Sequence, residues 1–212
     1  MIENLARKRV AINSILSKSL YDKNKTVPLL FYHPNLVKPG IGRFQNFKTY
    51  LDTSCVETTD PIDYSFQISY DGRPSRANMQ PSENTVWTAR MKSSFKVLGI
   101  TTNDKIIIKK CVLSTGFLGI SESSCLCSPF IYSLFISKPF RILKDLNSTG
   151  ATMESINNKD FLEIKVPFLS STEMEDYRIK YMPLLLELSS LREEEIRLAK
   201  IKESLLAKYF NH

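Results

Sequence analysis

The stretch STEMEDYRIKYMPLLLELSSLREEEIRLAKIKESLLAKYF, residues 171–210, decides the architecture. It holds no glycine, and Ser170 with Glu173 has the spacing of a capping box. Glu173, Glu175 and Asp176 suit the positive end of a helix dipole. Leucines 184, 191, 198 and 205 recur every seven residues, Leu188 follows Leu184 by four, and Tyr177, Tyr181 and Tyr209 extend the stripe. Arg192, Glu193, Glu194, Arg197, Lys200 and Glu203 stand between them, as on the solvated face of a coiled coil. Glu195 and Lys202 interrupt the seam, and Pro183 predicts a kink or a split into two helices. Helical throughout, residues 172–210 would span roughly 58 Å at ~1.5 Å per residue. That is more than one domain covers, so the pattern predicts a protruding rod. Its seam, Leu184, Leu188, Leu191, Leu198 and Leu205, is the expected interface for a second copy or a partner. The opposite outcome is a helix folded back on its own globe.

The chain ahead of the rod reads as a mixed α+β, β-rich globe. Strand-like runs are Val27–His33, Phe47–Thr53, Tyr64–Tyr70, Thr85–Arg90, Lys96–Ile100, Lys105–Lys109, Val112–Ile120 and Phe161–Phe168. Turn signals such as Pro39-Gly40, Asp71-Gly72 and Asn103-Asp104 separate them. Ser128-Pro129 opens a helix to Ser137, Pro139 restarts one to about Leu146, and residues 3–20 form a short basic helix. The expected division is a globe at 1–170 and a helix at 171–212.

Composition excludes several classes. The 212 residues are 42% hydrophobic and 24% charged, which suits a folded chain rather than a disordered one. No run reaches the ~18 apolar residues of a membrane helix, and Met1–Leu20 lacks the apolar core of a secretory signal. These features predict a cytoplasmic protein with no membrane contact. Cys55, Cys111, Cys125 and Cys127 contain no Cys-x-x-Cys pair, and His33 and His212 are the only histidines, so the thiols are expected reduced and metal-free. Phosphate-loop, dinucleotide-binding and Ser-His-Asp signatures are absent, so no cofactor is expected. One nuclease-like trace is Asp145 with Glu163-Ile-Lys165, where a strand would put Glu163 and Lys165 on one face. An alternative reading is therefore a metal-dependent endonuclease.

The net charge of +7 lies entirely before Ser171, which points to a polyanion partner. Within Asp71–Lys92 stand Arg73, Arg76, Arg90 and Lys92, with Asn78, Gln80 and Trp87 among them and Lys96 just beyond. Arginine grips phosphate or guanine with paired hydrogen bonds, and Asn or Gln does the same to adenine. Pro74 and Pro81 stiffen the loop. Arg73, Arg76, Asn78, Gln80, Arg90, Lys92 and Lys96 are thus candidate DNA-binding residues. The competing expectation is a solvated loop whose arginines pair with Asp71 and Glu83.

The segment Arg73-Pro-Ser-Arg-Ala-Asn-Met-Gln-Pro with Thr85-Val-Trp resembles the target recognition domain of DNA-specificity (S) subunits of type I restriction-modification systems. So do Leu113-Ser-Thr-Gly-Phe-Leu-Gly, Gly150-Ala-Thr-Met-Glu-Ser-Ile-Asn and Phe161-Leu-Glu-Ile-Lys-Val-Pro-Phe-Leu. The ending Lys202-Glu-Ser-Leu-Leu-Ala-Lys-Tyr-Phe resembles that family's conserved helix. The likeness runs over roughly residues 45–210, and the stretch before Phe44 matches no family start. It implies a non-catalytic, sequence-specific DNA-binding subunit. Such a subunit recruits methyltransferase (M) and restriction (R) subunits. With one recognition domain and one helix the chain resembles half of a usual member, which implies a homodimer paired through the helix and a palindromic split target.

Overall fold

Residues 2–20, 25–61, 64–151 and 153–210 are described by a computed structural model; Met1, Thr152 and His212 fall outside the described residues. Its strands are β1 (Thr26–Pro28), β2 (Asn35–Leu36), β3 (Lys48–Leu51), β4 (Val56–Glu57), β5 (Asp60–Pro61), β6 (Gln67–Ile68), β7 (Ala77–Met79), β8 (Thr85–Ala89), β9 (Val97–Ile100), β10 (Cys111–Ser114), β11 (Phe117–Ser121) and β12 (Lys165–Pro167). The helices are α1 (Ile2–Lys18), α2 (Lys105–Lys110), α3 (Ser128–Ile136), α4 (Lys138–Leu146), α5 (Asn158–Glu163) and α6 (Ser171–Phe210).

Two four-stranded sheets stack, and strand alternation sorts their side chains into layers. The inner sheet has the order β2-β11-β8-β9 and the outer sheet β6-β3-β10-β7. Trp87, Leu98, Ile100 and Phe117 of the inner sheet meet Leu51, Met79 and Leu113 of the outer one in a core between the sheets. Their sequence neighbours Val86, Val97, Leu118 and Ile120 point the other way, into a larger core under the helices. On the outer sheet's far side Tyr50, Ile68, Ala77 and Val112 make a third, small cluster. Gly119 is required by its partner: a Cβ there would come within 2.6 Å of the Trp87 ring.

Helix α3 is buried along its whole length beneath α1 and α6. Helix α1 turns Leu5, Ile12 and Leu16 inward, as an amphipathic helix should. Helix α6 starts on its predicted cap: the Ser170 and Glu173 side chains exchange hydrogen bonds with each other's backbone N–H. It passes through Pro183 without interruption.

Besides the absent break at Pro183 and Val27–His33, which is strand only to Pro28 and a short 3-10 helix over Leu29–Tyr32, four sequence expectations need correction. Lys105–Lys109 is helix rather than strand, because Glu193 of α6 accepts from the Ile106 N–H at 2.6 Å and so caps the N-terminus of α2 from outside. Val112–Ile120 is two strands, split by a turn at Thr115-Gly116 that sends β10 and β11 to different sheets. Phe161–Phe168 begins as helix, since the Asn157 side chain caps α5 at the Asp160 N–H. The rod is the fourth. From Met174 to Ile196 it buries Met174, Tyr177, Leu185, Leu188, Leu191 and Ile196, so much of it is a core element of its own globe. The part that projects is short, and Ile201, Leu205, Leu206 and Tyr209 are exposed along it.

Buried charge pins α6 to the sheets. The Arg192 guanidinium donates to Asp104 at 2.5 Å and to the Gly99 carbonyl at 3.0 Å, and lies 3.6 Å from Asp60. Asp104 is fully buried and also accepts from the Thr101 N–H at 2.9 Å. Burial opposes the Arg192 charge, but Asp104 and Asp60 more than offset it and hold its pKa above the ordinary value. Arg9 of α1 joins the network, 2.6 Å from Glu195 and 3.2 Å from Asp60.

Candidate nucleic-acid interface

Cations and aromatic rings interleave at the outer sheet. The Arg73 guanidinium lies 4.0 Å from the centre of the Tyr70 ring and donates to the Tyr70 carbonyl. Arg43 approaches the same ring at 5.5 Å, and Phe44 meets it edge-on at 5.5 Å. Lys48 stands 5.1 Å from the Phe44 ring. Rings hold such cations in place while leaving their outer N–H groups free to donate.

Arg76 is exposed at the start of β7. Its backbone carbonyl takes the Thr115 and Asn78 N–H groups, which fixes the segment against the β10–β11 turn. A Cβ at Gly116 would come within 2.8 Å of Arg76 Nη2, so glycine there gives the guanidinium room to lie across the turn. Among the described residues neither Arg73 nor Arg76 forms an ion pair. Asp71 pairs instead with Arg43 at 3.2 Å, both side chains about three-quarters exposed. An exposed pair of this kind contributes ~0–1 kcal/mol, so exchanging Asp71 for a phosphate costs little. The half-buried Asn78 has no side-chain hydrogen bond to the described residues, while its carbonyl accepts from the Gly40 N–H at 2.7 Å.

Gln80 and Arg90 are engaged within the fold. The Gln80 amide donates to the Pro81 and Ile108 carbonyls at 3.1 Å each, and its oxygen accepts from Lys48 at 3.4 Å, so it ties β7 to α2. Arg90 donates to the Phe117 and Ile156 carbonyls at 3.4 Å each, and burial lowers its pKa. Lys92 and Lys96 sit apart, around the β8–β9 turn. Buried Lys144 holds that turn through the Met91 and Ser94 carbonyls at 2.6 and 3.1 Å, and Asp145 accepts from the Ser93 N–H at 3.0 Å. Lys92 is paired with Glu154 at 2.8 Å, again a half-exposed pair.

Sequence reading missed Arg43, Phe44, Lys48 and Tyr70. Arg43-Phe44 and Lys48, at the start of β3, lie outside the proline-stiffened segment. The nuclease trace is not assembled. Glu163 ends α5 and Lys165 lies in β12, so they share no strand face, and Asp145 is engaged with Lys144 at 3.2 Å. No group of three acidic, Cys or His side chains among the described residues is arranged to hold a metal ion. No described helix is long and apolar enough to cross a membrane.

Of the thiols, Cys55, Cys111 and Cys127 are buried and Cys125 is exposed. Burial pushes Cys111 up to about 12, against the pull of Lys48 and Lys200, and Cys127 up to about 11. Both stay protonated and inert at neutral pH. Ellman's reagent should therefore titrate Cys125 alone in the folded protein and all four thiols after unfolding. Rapid native reaction in Cys125→Ser protein would show that a buried thiol opens.

No family model matches the chain, and no curated protein does. Solved structures do. A chain from a structure concerned with the assembly and conformational transition of the type I R-M system is similar at 19% identity, TM-score 0.57, over 88% of this chain and 48% of that one. The HsdS subunit from Thermoanaerobacter tengcongensis is similar at 16% identity, TM-score 0.55, over 87% and 45%. The type I restriction-modification S subunit from M. genitalium is similar at 15% identity, TM-score 0.52, over 98% and 54%. The chain shares their fold and spans about half the length of each.

Proposed function

We propose that this chain is a half-length DNA-specificity subunit of a type I restriction-modification complex. It is non-catalytic, cytoplasmic, and reads one half of a split DNA site. The observation that carries the reading is the fold shared with an HsdS subunit over 87% of this chain. Arg73 and Arg76, which form no ion pair among the described residues, and Asn78, whose amide has no side-chain hydrogen bond to them, supply the groove-reading chemistry. Lys92 and Lys96 add phosphate contacts from the neighbouring turn. Two copies joined at the exposed end of α6 rebuild a two-fold subunit, which then recruits M and R subunits.

Gel shifts at rising salt, with and without a cognate methyltransferase subunit, test this. Binding should weaken by about 0.9 log unit per log unit of salt for each phosphate held. Arg76→Ala should weaken binding to target DNA by about 1–3 kcal/mol and relax the sequence preference, with the unfolding midpoint unmoved. Absence of any DNA complex at low salt, with the methyltransferase present, would overturn the proposal.

A further inference from the structure

The basic surface continues past the outer sheet into a groove against α6. The groove, ≈ 500 Å³, is lined by Phe47, Gln67, Lys110, Ile196, Lys200 and Glu203 among others. Cys111, the first residue of β10, pairs in register with Thr49 of β3, and Lys110 is the last residue of α2 just before it. Lys48 reaches Gln80, whose amide holds the Ile108 carbonyl of α2, so strand and helix are fixed relative to each other. Lys200 enters from α6 and lines the groove together with Lys110. None of Lys48, Lys110 and Lys200 forms an ion pair among the described residues. The carboxylate in the groove is Glu203; Glu193 nearby is spent on the Ile106 N–H and on Arg197.

Two ammonium groups lining one groove with a single carboxylate leave it net positive, which favours an added anion there. The groove adjoins the Arg73–Tyr70–Arg43 and Phe44–Lys48 series through β3, since Lys48 borders the Phe44 ring while Phe47 and Thr49 line the groove, and backbone-tracking surfaces are built from such neighbouring cations. We propose that Lys48, Lys110 and Lys200 hold phosphates of the bound duplex, carrying the DNA from the sheet onto α6. The contact rests on the DNA-binding reading above but differs from it in kind, since it is indifferent to sequence. It makes α6 a part of the DNA surface as well as a joint between subunits.

Fluorescence anisotropy of the full chain with a short mixed-sequence duplex, over a range of salt, decides it. Lys110→Ala with Lys200→Ala should flatten the slope of log affinity against log salt by about 1.8, that is ~0.9 for each phosphate lost. At 0.1 M salt the same relation gives roughly a sixtyfold loss of affinity. A charge-matched control, Lys138→Ala with Lys159→Ala, both exposed on other faces, should leave the slope nearly unchanged. An unmoved slope in the groove variant, or an equal change in the control, overturns the groove while leaving DNA recognition intact. Failure of the unaltered chain to bind any duplex overturns both, and binding of an acidic polypeptide in place of the duplex with the same lysine dependence would make this a protein-docking groove.

Discussion

Arg192→Ala is expected to destabilise the protein by about 3–5 kcal/mol, the range found when one member of a buried ion pair is removed. The cost comes less from the lost attraction than from what is left behind. Asp104 would stay fully buried with a charge answered only by the Thr101 N–H, and the Gly99 carbonyl would lose its donor. For a chain of this size each kcal/mol moves the midpoint by about 2–4 °C, so thermal melts should fall by roughly 6–20 °C. The double variant Arg192→Met with Asp104→Asn should recover much of the loss, since it removes the stranded charge as well as its partner. Equal destabilisation in single and double variants would mean that packing of the arginine stem, rather than charge, anchors the helix. Hydrogen exchange should locate the damage: α6 from Tyr177 to Ile196 should lose protection first, because Arg192 ties that segment to β9 and the β4–β5 hairpin.

That network explains why the helix was legible and its placement was not. The capping box at Ser170, the glycine-free run and the heptad of leucines are local signals, and each is found where the sequence places it. Which face of the helix meets the globe depends on partners far away in the chain. Arg192 and Glu193 read as a solvated face because charged residues between leucines usually are. Both are buried, one closing on Asp104 and the other capping α2. The same distant cap turned Lys105–Lys109 into helix against its β-branched composition. In the outer sheet the alternation that defines β3, β8 and β9 was visible. The pairing of β3 beside β10 in parallel was not, because a parallel neighbour leaves no hairpin turn in the sequence. The candidate site divides along the same line. Arg73, Arg76 and Asn78 were found by chemistry within one segment, whereas Tyr70, Arg43 and Lys48 join them through ring contacts that only the fold creates.

The heptad itself yields the sharpest contrast between two substitutions of one kind. Leu191, 3% exposed, packs with Leu185 and Leu188 in the core under the helices, so Leu191→Lys drives a charge into the globe and should unfold it. Leu205 and Ile201 are 50% and 55% exposed, and changing both to lysine should alter the stability of the isolated chain by ~0.5 kcal/mol or less. Their effect should fall on assembly. Ile201 and Leu205, with Leu206 and Tyr209 beside them, are exposed along the projecting turns and form one apolar stripe, while Leu198 just before them is half-buried against the globe's own core. A second α6 lying antiparallel would bury that stripe on both copies at once, as a two-fold interface requires. Light scattering should therefore show a dimer for the unaltered chain and for Glu187→Ala, a control on the exposed face of the docked portion. It should show a folded monomer for the Ile201→Lys, Leu205→Lys variant. The melting midpoint of the unaltered chain should rise with protein concentration and that of the variant should not, since only an associating species is stabilised by mass action. A dimer that survives both lysines would move the joint away from the tip of α6. The exposed stripe would then fall to a partner subunit rather than to a second copy.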